Sequence, residues 1–488
     1  MLETAFWQFL KSHKRVCMVF GAALGARLIL FFVFMYLQGI SVFWDGAQDI
    51  RTYGTLAKNI VQFGSFISQN GVTPESWFTP GYPAFLAFFW YLWGSWIPVV
   101  LLQIILASVS AVLVYCIGRE YFSEKVGFAA GILFALEPTS VFLSAFLWSE
   151  TVFLFLLLLF ILFFLRYMTA VDAVELKRNA VLAGVFLASA TYIRQITFLM
   201  PIACGVFLAA LFVLMRGSVT KRHIVPFFLF LLVSVGFVAP WMGRNKMIFD
   251  SWSLAAGSSM VVYFFDALPF AYYRNADSKL AYLVGAEDVE EPAGYVWPRS
   301  QSGVFNDETG VGLYYEDLII ERTKAIIFEH PFEYAVFHGI SGFGGLLFQD
   351  TWRAILRRGG FVLEGRGFTE AVLHGDIKKI HDWFSGGGAL WFGVGIAGHI
   401  FFTAVSIAMI VGGVLLAVSG NRNKQIAALF LMFLFLYFAL ITGPASYRDR
   451  YRYPVFPAMV LLAAAGWQYG LDRMRAKTKA ENKIKIPV

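Results

Sequence analysis

The sequence predicts an all-α polytopic membrane protein: a bundle of about ten transmembrane helices, amphipathic helices beside the membrane in the first outer loop, and a larger outer loop after the seventh span. Three observations carry this prediction. Of the 488 residues, 58% are hydrophobic and 15% are charged. Apolar runs long enough to cross a bilayer recur along the chain, and basic residues fall in alternate loops. This composition excludes an ordinary water-soluble enzyme and a disordered chain.

A helix needs roughly 20 apolar residues to cross about 30 Å of hydrocarbon. Runs of this kind occur near residues 16–38, 97–118, 125–145, 149–168, 179–197, 199–215, 224–241, 389–418, 426–443 and 453–471. The first run is too long for the core of a signal peptide, so it predicts a retained first span.

Basic residues predict the orientation. The loops on the side where the chain starts carry Lys11, Lys14 and Arg15; Arg119 and Lys125; Arg166, Lys177 and Arg178; Arg216, Lys221 and Arg222; Arg422 and Lys424; and the tail from Arg473 to Lys485. The opposite short turn, 139–148, contains no Lys or Arg. The positive-inside rule therefore places both termini in the cytoplasm.

Two segments on the opposite side are too long to be simple turns, and they divide the chain into three parts: 1–241 with the first outer loop 39–96, 242–388, and 389–488. In the first loop, apolar residues from Ile50 to Val61 recur at helical spacing, and a second helix is expected from Pro80. The apolar stretch 332–348 of the larger loop is interpreted as interfacial. The alternative, that it crosses and inverts the last three spans, stays open.

A charged side chain at the middle of the membrane costs about 2.5–3.5 kcal/mol. The ionisable residues near the membrane accordingly gather at the outer ends of the predicted spans. These residues are Asp45, Asp49, Glu137, Glu150, Arg194, Arg244, Arg448, Arg450 and Arg452. Carboxylates beside guanidinium groups suit a phosphorylated, amphiphilic substrate, because arginine binds phosphate oxygens and a carboxylate accepts a proton from a hydroxyl.

Simpler interpretations remain for several of these residues. Arg450 and Arg452 are also placed where arginines extend to lipid head groups. Glu150 is placed where an acidic residue stabilises the first turn of a helix, and Asp45 is equally consistent with a solvated loop residue. The three cysteines do not support a disulfide framework, and His330, His338, His374, His381 and His399 lack the spacing of metal ligands.

Short sequence strings recur in an order that resembles a known family. They are Asp49 to Ala57 with Gly64, Thr79-Pro80-Gly81-Tyr82-Pro83, Glu137-Pro138 through Ser149-Glu150-Thr151, Tyr192-Ile193-Arg194, Pro240 to Asn245, His330-Pro331-Phe332-Glu333-Tyr334, and Arg450-Tyr451-Arg452-Tyr453-Pro454. Together they resemble the GT-C superfamily of membrane glycosyltransferases, in particular the bacterial branch related to protein O-mannosyltransferases and the lipid A aminoarabinose transferase.

The resemblance implies a GT-C-like fold and an inverting glycosyltransferase in the bacterial inner membrane. Its expected partners are a polyprenyl-phosphate sugar donor, a glycan or glycolipid acceptor and the bilayer, without nucleic acid. Asp49 matches the general base and Glu150 the second acid of the family. Donor phosphate contacts are implied for Arg194, Arg244, Arg450 and Arg452, and a substrate pocket for Tyr53, Tyr82, Glu137, Arg448 and Tyr453. No cofactor is required, although Asp45 and Asp49 are spaced to share a divalent metal.

Two departures narrow the acceptor. Aminoarabinose transferases carry a lysine before the prolines of the first loop, where this chain has Phe78-Thr79-Pro80-Gly81. The outer domain inserted in eukaryotic protein mannosyltransferases is not recognisable, which favours a glycan or glycolipid over a protein. Two other functions stay open: a transporter or flippase of lipid-linked sugars, and a polysaccharide polymerase or ligase.

Overall fold

A computed structural model of the chain describes residues 13–45, 48–215, 220–276, 316–347, 376–383, 389–443 and 449–484. The helices of the N-terminal half are α1 (Lys14–Gln38), α2 (Val42–Asp45), α3 (Gln48–Phe63), α4 (Gly81–Trp93), α5 (Ile97–Tyr121), α6 (Glu124–Leu136), α7 (Pro138–Ser144), α8 (Glu150–Thr169), α9 (Ala173–Ile193), α10 (Met200–Leu214) and α11 (Ile224–Phe249). They are followed by α12 (Gly257–Val262), a π-helical turn (Tyr263–Ala267), α13 (Leu268–Asn275), α14 (Glu316–Glu329), α15 (Pro331–Leu347), α16 (Ile377–Trp383), α17 (Ala389–Ala417), α18 (Arg422–Thr442), α19 (Asp449–Arg452) and α20 (Phe456–Ile484).

The predicted all-helical membrane architecture is confirmed. Within the described ranges, the extended pairing is limited to one isolated bridge between Ile67 and Pro74. Seven helical segments there are long and apolar enough to cross a membrane, and the number rises to eight if the bent pair α6–α7 is one span. The predicted count of about ten is not confirmed. The other two expected spans are the helices α9 and α20, which carry charged residues over part of their length.

The α6–α7 pair bends by 57° at Glu137. The Glu137 side chain causes α7 to begin there, because its Oε2 accepts a hydrogen bond from the backbone N–H of Ser140 at 2.6 Å. Pro138 follows at the first helical position. A backbone N–H at that position has no acceptor within the helix, so the N–H that proline lacks costs no hydrogen bond. This break turns a second helix end toward the same end of the bundle as the start of α8.

Close backbone contacts hold the N-terminal half together. Helices α5 and α6 cross at Gly118 and Gly127, where a Cβ on Gly118 would lie 2.6 Å from the Gly127 Cα. Helix α5 also packs against α1 and α8, and α9 lies between α8 and α11. The apolar core runs through these helices and continues into α17, α18 and α20. The C-terminal helices therefore form part of the same bundle.

The two helices predicted for the first outer loop are α3 and α4, which pack on each other. The segment between them returns to the bundle at its C-terminal end: the Thr79 hydroxyl donates to the Ile193 carbonyl at 3.1 Å. At Gly81 a Cβ would lie 2.6 Å from the Tyr192 carbonyl oxygen, so glycine permits this close approach. The first outer loop is thereby fixed beside the end of α9.

The described part of the larger loop is also helical. Helices α13, α14 and α15 share a small apolar cluster that includes Phe270, Ile319 and Phe337. Helix α15 packs against α18. Its 17 residues correspond to the stretch interpreted as interfacial, and that interpretation stays a prediction.

Candidate active site

Four charged residues meet at one end of the helical bundle, and we call them the rim cluster: Asp49, Glu150, Arg194 and Arg450. Each lies where a helix begins or ends. Asp49 is in the first turn of α3, Glu150 begins α8, Arg194 follows the last residue of α9, and Arg450 lies in the short helix α19. The helix termini therefore bring together residues that are as much as 401 positions apart in the sequence.

Asp49 and Arg450 form the more open pair. Arg450 Nη1 lies 2.5 Å from Asp49 Oδ2, and the side chains are 24% and 40% exposed, respectively. The bond uses one carboxylate oxygen of Asp49, Oδ2. Arg450 thereby fixes the orientation of the Asp49 carboxylate, which is accessible to solvent.

Glu150 and Arg194 form the buried pair. Arg194 Nη1 lies 2.6 Å from Glu150 Oε1, and the Glu150 side chain is only 3% exposed. The same nitrogen donates to the Ser149 hydroxyl at 3.2 Å. Charge-assisted hydrogen bonds of this kind hold a guanidinium group in one orientation.

Tyr451 lies between the two pairs and was missed by the sequence analysis. The Cζ atoms of Arg194 and Arg450 lie 5.9 Å and 5.5 Å from the centre of its ring. Two cations over one aromatic ring are attracted to its electron-rich face. The position of Tyr451 directly after Arg450 was the only available signal, and it does not reveal that Arg194 reaches the same ring.

The charges of the rim cluster act on one another. Burial by itself lowers the pKa of Arg450, but Tyr451, Glu150 and Asp49 outweigh it and raise the pKa above its usual value. Burial raises the pKa of Tyr53 to about 12, with smaller effects from Arg194, Glu150 and Asp49. Tyr53 is therefore protonated at neutral pH and available as a hydrogen-bond donor beside the cluster.

Tyr53 and Tyr82 link the rim cluster to the first outer loop. Their rings pack edge to face with centres 4.9 Å apart. The Tyr82 hydroxyl donates to Gln103 Oε1 at 2.7 Å, and Gln103 donates to the Phe146 carbonyl at 2.6 Å. Tyr82 is fully buried, and its contacts hold Tyr53 and α3 in position. A place for Tyr82 in the substrate pocket stays a prediction.

Arg452, Glu137 and Tyr453 lie in a second group, which we call the buried network together with Arg27 and Ser140. Arg452 and Glu137 are both 1% exposed, with Nη2 and Oε1 at 3.9 Å, and the Arg452 Cζ lies 3.5 Å from the centre of the Phe402 ring. Tyr453 is also buried. Donor binding by Arg452 and pocket roles for Glu137 and Tyr453 stay predictions.

Arg27, inside the first span, was missed by the sequence analysis. Its Nη1 donates to the carbonyls of Ala23 and Ala135 at 2.9 Å each, and its Nη2 donates to the Ser140 hydroxyl at 2.5 Å. A charged residue inside an apolar run is costly unless it is partnered, so the position of Arg27 was itself a usable signal. It fastens α1 to both sides of the α6–α7 bend.

Arg244 has partners of a different kind. Its Nη1 donates to the Glu75 carbonyl at 3.0 Å and to Asn245 Oδ1 at 2.8 Å, and its Cζ lies 4.7 Å from the centre of a Trp241 ring. These contacts hold the segment between α3 and α4 against α11. A role for Arg244 in binding the donor phosphate stays a prediction.

The remaining predicted residues give no metal centre. Asp45 ends α2 and is exposed, and Arg448 lies outside the described residues, as does His374. In the described parts of the chain, no group of three or more His, Cys, Asp or Glu side chains is placed to hold a metal ion.

An apolar groove of about 500 Å³ opens beside the rim cluster. Its lining comes from α4, α5, α8, α9 and α11 and includes Phe85, Leu106, Val152, Phe155, Tyr192 and Phe237. Val152 is two residues from Glu150, and Tyr192 is two residues from Arg194. Ile193, which directly precedes Arg194, also lines the groove, so the apolar surface reaches the end of α9 that Arg194 follows.

Residues 78–242 match the model of a protein family described as dolichyl-phosphate-mannose-protein mannosyltransferase. The matched segment contains Tyr82, Glu150 and Arg194, and it confirms the predicted resemblance to membrane glycosyltransferases. Asp49 and Arg450 lie outside it. No curated protein matches the sequence.

Two kinds of solved structure are similar to this chain. AglB, an oligosaccharyltransferase from Archaeoglobus fulgidus in complex with an inhibitory peptide and a dolichol-phosphate, is 14% identical with a TM-score of 0.45, over 96% of this chain and 52% of that one. ArnT from Cupriavidus metallidurans, bound to undecaprenyl phosphate, is 12% identical with a TM-score of 0.37, over 91% and 77%. The chain thus spans about half the length of the archaeal structure.

Proposed function

We propose that this membrane protein is an inverting glycosyltransferase that moves a sugar from a polyprenyl-phosphate donor to a hydroxyl of a cell-envelope glycan or glycolipid. The observation that supports this most is the pairing of an accessible carboxylate, Asp49, with Arg450 directly beside the buried Glu150–Arg194 pair. A base for the acceptor and cations for a phosphate are then adjacent. The family match over residues 78–242 supports a lipid-phosphate sugar as the donor class.

Asp49 is the general base of this proposal. Its exposed carboxylate takes the proton from the acceptor hydroxyl as the hydroxyl oxygen forms a bond to the anomeric carbon. The bond between the anomeric carbon and the phosphate oxygen breaks, and its electron pair leaves with the polyprenyl phosphate. Arg450 and Arg194 stabilise the charge on that phosphate, so the leaving group needs no proton.

Glu150 and Tyr53 act as positioning groups in this proposal. Glu150 holds Arg194 from the buried side, so the guanidinium group keeps its orientation before substrate arrives. Tyr53 is protonated, and its hydroxyl interacts with Ser149, which also accepts a hydrogen bond from Arg194. Such preorganisation reduces the rearrangement required in the transition state.

The apolar groove beside Glu150 and Arg194 suits the prenyl chain of the donor. A polyprenyl phosphate has one apolar tail and one anionic head, and the lining of the groove includes Ile193, the residue before Arg194. A water-soluble nucleotide sugar would leave this surface unfilled. We therefore place the donor with its tail in the groove and its phosphate at Arg194 and Arg450.

The basic loops support an orientation with both termini in the cytoplasm and the rim cluster at the outer surface of a bacterial inner membrane. A nucleotide sugar does not reach that surface, whereas a lipid-linked sugar does. Mass spectrometry of cell-envelope glycans from a deletion strain would identify the sugar and the acceptor together. An unchanged glycan profile would count against a transferase.

Sugar transfer by the full-length protein in lipid nanodiscs tests the proposal directly. With radiolabelled undecaprenyl-phosphate sugars and cell-envelope glycolipid as acceptor, Asp49→Asn should lower transfer by about 10²–10⁴-fold, the usual contribution of a general base. The variant should keep its thermal unfolding profile, because the Asp49 side chain is 40% exposed.

Asp45→Asn is the matched control, since Asp45 is an exposed aspartate four residues earlier. It should transfer sugar at close to the wild-type rate. A large loss in both variants would indicate a shared metal instead of a single base. Transfer at the wild-type rate by the Asp49→Asn variant would disprove the assignment of Asp49 as the base. Transport of the lipid-linked sugar without any sugar transfer would favour a flippase.

A further inference from the structure

The ring of Tyr451 contacts two arginines that come from different parts of the chain. Its centre lies 5.5 Å from the Arg450 Cζ and 5.9 Å from the Arg194 Cζ. Arg450 is the preceding residue, so that contact is local, whereas Arg194 follows α9 and reaches the ring only through the packing of the bundle. Tyr451 is 7% exposed. Because the attraction between a cation and an aromatic face is stronger where water is excluded, both contacts gain from this burial.

The backbone that carries the ring is anchored from within the bundle. Tyr451 belongs to the four-residue helix α19, Asp449–Arg452. The next residue, Arg452, is 1% exposed, and its Nη2 lies 3.9 Å from the Oε1 of the equally buried Glu137. The Arg452 Cζ also lies 3.5 Å from the centre of the Phe402 ring. These contacts fix the place of Tyr451 independently of the two arginines that its ring meets.

The carboxylates of the rim cluster do not by themselves fix the two guanidinium groups. Arg450 binds Asp49, and Arg194 binds Glu150, in each case through Nη1. A contact through one nitrogen lacks the geometric specificity of a two-nitrogen pair, and the two positive charges repel each other. The Nε of Arg450 is moreover buried and has no hydrogen-bond acceptor among the described residues. The Tyr451 ring therefore supplies a second contact that both guanidinium groups share.

We propose that Tyr451 is a positioning residue whose ring holds the guanidinium groups of Arg194 and Arg450 together before an anionic group arrives between them. The identity of that anion, a lipid phosphate, rests on the proposed function. The shared contact with the ring is a property of the fold. The part of Tyr451 that acts is the electron-rich face of the ring and not the hydroxyl.

Fluorination of the ring tests this role without removing the side chain. Fluorine withdraws electron density from the aromatic face, so it weakens the attraction for a cation while the ring keeps nearly the same shape. The full-length protein with trifluorophenylalanine at position 451 is compared with Tyr451→Phe. In titrations with undecaprenyl phosphate followed by native mass spectrometry, the fluorinated protein should bind about 2- to 30-fold more weakly, and kcat/KM for the donor should fall by a similar factor.

Tyr469 is the matched control, because it forms a similar pair outside the rim cluster. Its ring centre lies 5.3 Å from the Arg473 Cζ in the C-terminal half of α20. Trifluorophenylalanine at position 469, compared with Tyr469→Phe, should leave the affinity for undecaprenyl phosphate unchanged. An equal loss at both positions would show that the effect of fluorine is not specific to Tyr451, and it would overturn the proposal.

Thermal unfolding without any ligand supplies a measurement that does not depend on the donor. Fluorination at position 451 should lower the unfolding temperature of the otherwise unchanged protein. The shift should be smaller in the Arg450→Gln background, where one of the two cations is absent. Arg450→Gln suits this cycle because its partner, Asp49, is 40% exposed and is solvated when the pair is lost.

The ring series separates the possible results. Binding and unfolding temperature that are the same with and without fluorine would overturn the positioning role. A loss of binding in Tyr451→Phe as large as that in Tyr451→Leu would assign the effect to the hydroxyl and would also overturn it. Unfolding temperatures that follow the ring chemistry in a protein that does not bind undecaprenyl phosphate would count against the proposed function alone.

Discussion

The rim cluster and the buried network use the same residue types with different exposure. In the rim cluster, Asp49 is 40% exposed and binds Arg450 through one oxygen. In the buried network, Arg452 and Glu137 are each 1% exposed, and Arg27 is enclosed among carbonyls and the Ser140 hydroxyl. An acid–guanidinium pair therefore becomes a candidate for chemistry only where substrate reaches it. The enclosed pair instead joins α19, which also carries Arg450, to the α6–α7 bend.

The largest effect on stability is expected from Arg452→Met. It removes the guanidinium partner of the buried Glu137 carboxylate, and breaking a buried pair costs about 3–5 kcal/mol. Thermal unfolding in detergent should show the loss, while the KM for the lipid-phosphate donor in the surviving folded protein stays at the wild-type value. Unchanged stability with a raised donor KM would instead place Arg452 at the donor phosphate, as the sequence analysis expects.

Arg450→Ala tests the exposed ion pair of the rim cluster. Removing one cation from a developing phosphate charge should lower kcat/KM for the donor by about 10²-fold, or about 2.7 kcal/mol, with little change in unfolding temperature. Arg166→Ala is the matched control, because Arg166 binds Glu120 through two nitrogens at the opposite end of α8. Equal losses in both variants would show that the effect is not specific to the guanidinium group beside Asp49.

The smallest effect is expected from Ser140→Ala. It removes one acceptor of Arg27 and should lower the free energy of unfolding by about 1–2 kcal/mol, while transfer per folded molecule is retained. Ser144→Ala serves as the comparison, since the Ser144 hydroxyl bonds only within α7, to the Val141 carbonyl. A selective loss of transfer in Ser140→Ala would mean that the α6–α7 bend takes part in the reaction.

The sequence analysis identified the members of the rim cluster but not their pairing. Asp49, Glu150, Arg194 and Arg450 were selected because charge is costly near a bilayer and because they match family motifs. Arg452 was selected on the same grounds, yet it is buried, although it lies only two residues after Arg450. Side-chain direction in a four-residue helix depends on what packs around it, and no local pattern encodes that.

Tyr451, Arg27 and the hydrogen-bonded pair of Asp266 and His338 were not selected as site residues. His338 was noted only as a histidine without metal-ligand spacing, and its partners, Asp266 and the Leu440 carbonyl, lie 72 and 102 residues away. Such contacts arise from the packing of α15 on α18. Arg27 is the exception, because its position within an apolar run already indicates a buried partner.

The sequence by itself determined that this is a multi-pass helical membrane protein whose candidate site residues lie at the ends of the predicted spans. The reason is that hydrocarbon excludes unpaired charge and unbonded backbone, so span length and the position of charged residues follow from composition. Tertiary structure alone decided which acid meets which arginine and which of those pairs solvent reaches. Pairing and exposure depend on how helices distant in the chain pack, and packing is a property of the whole bundle.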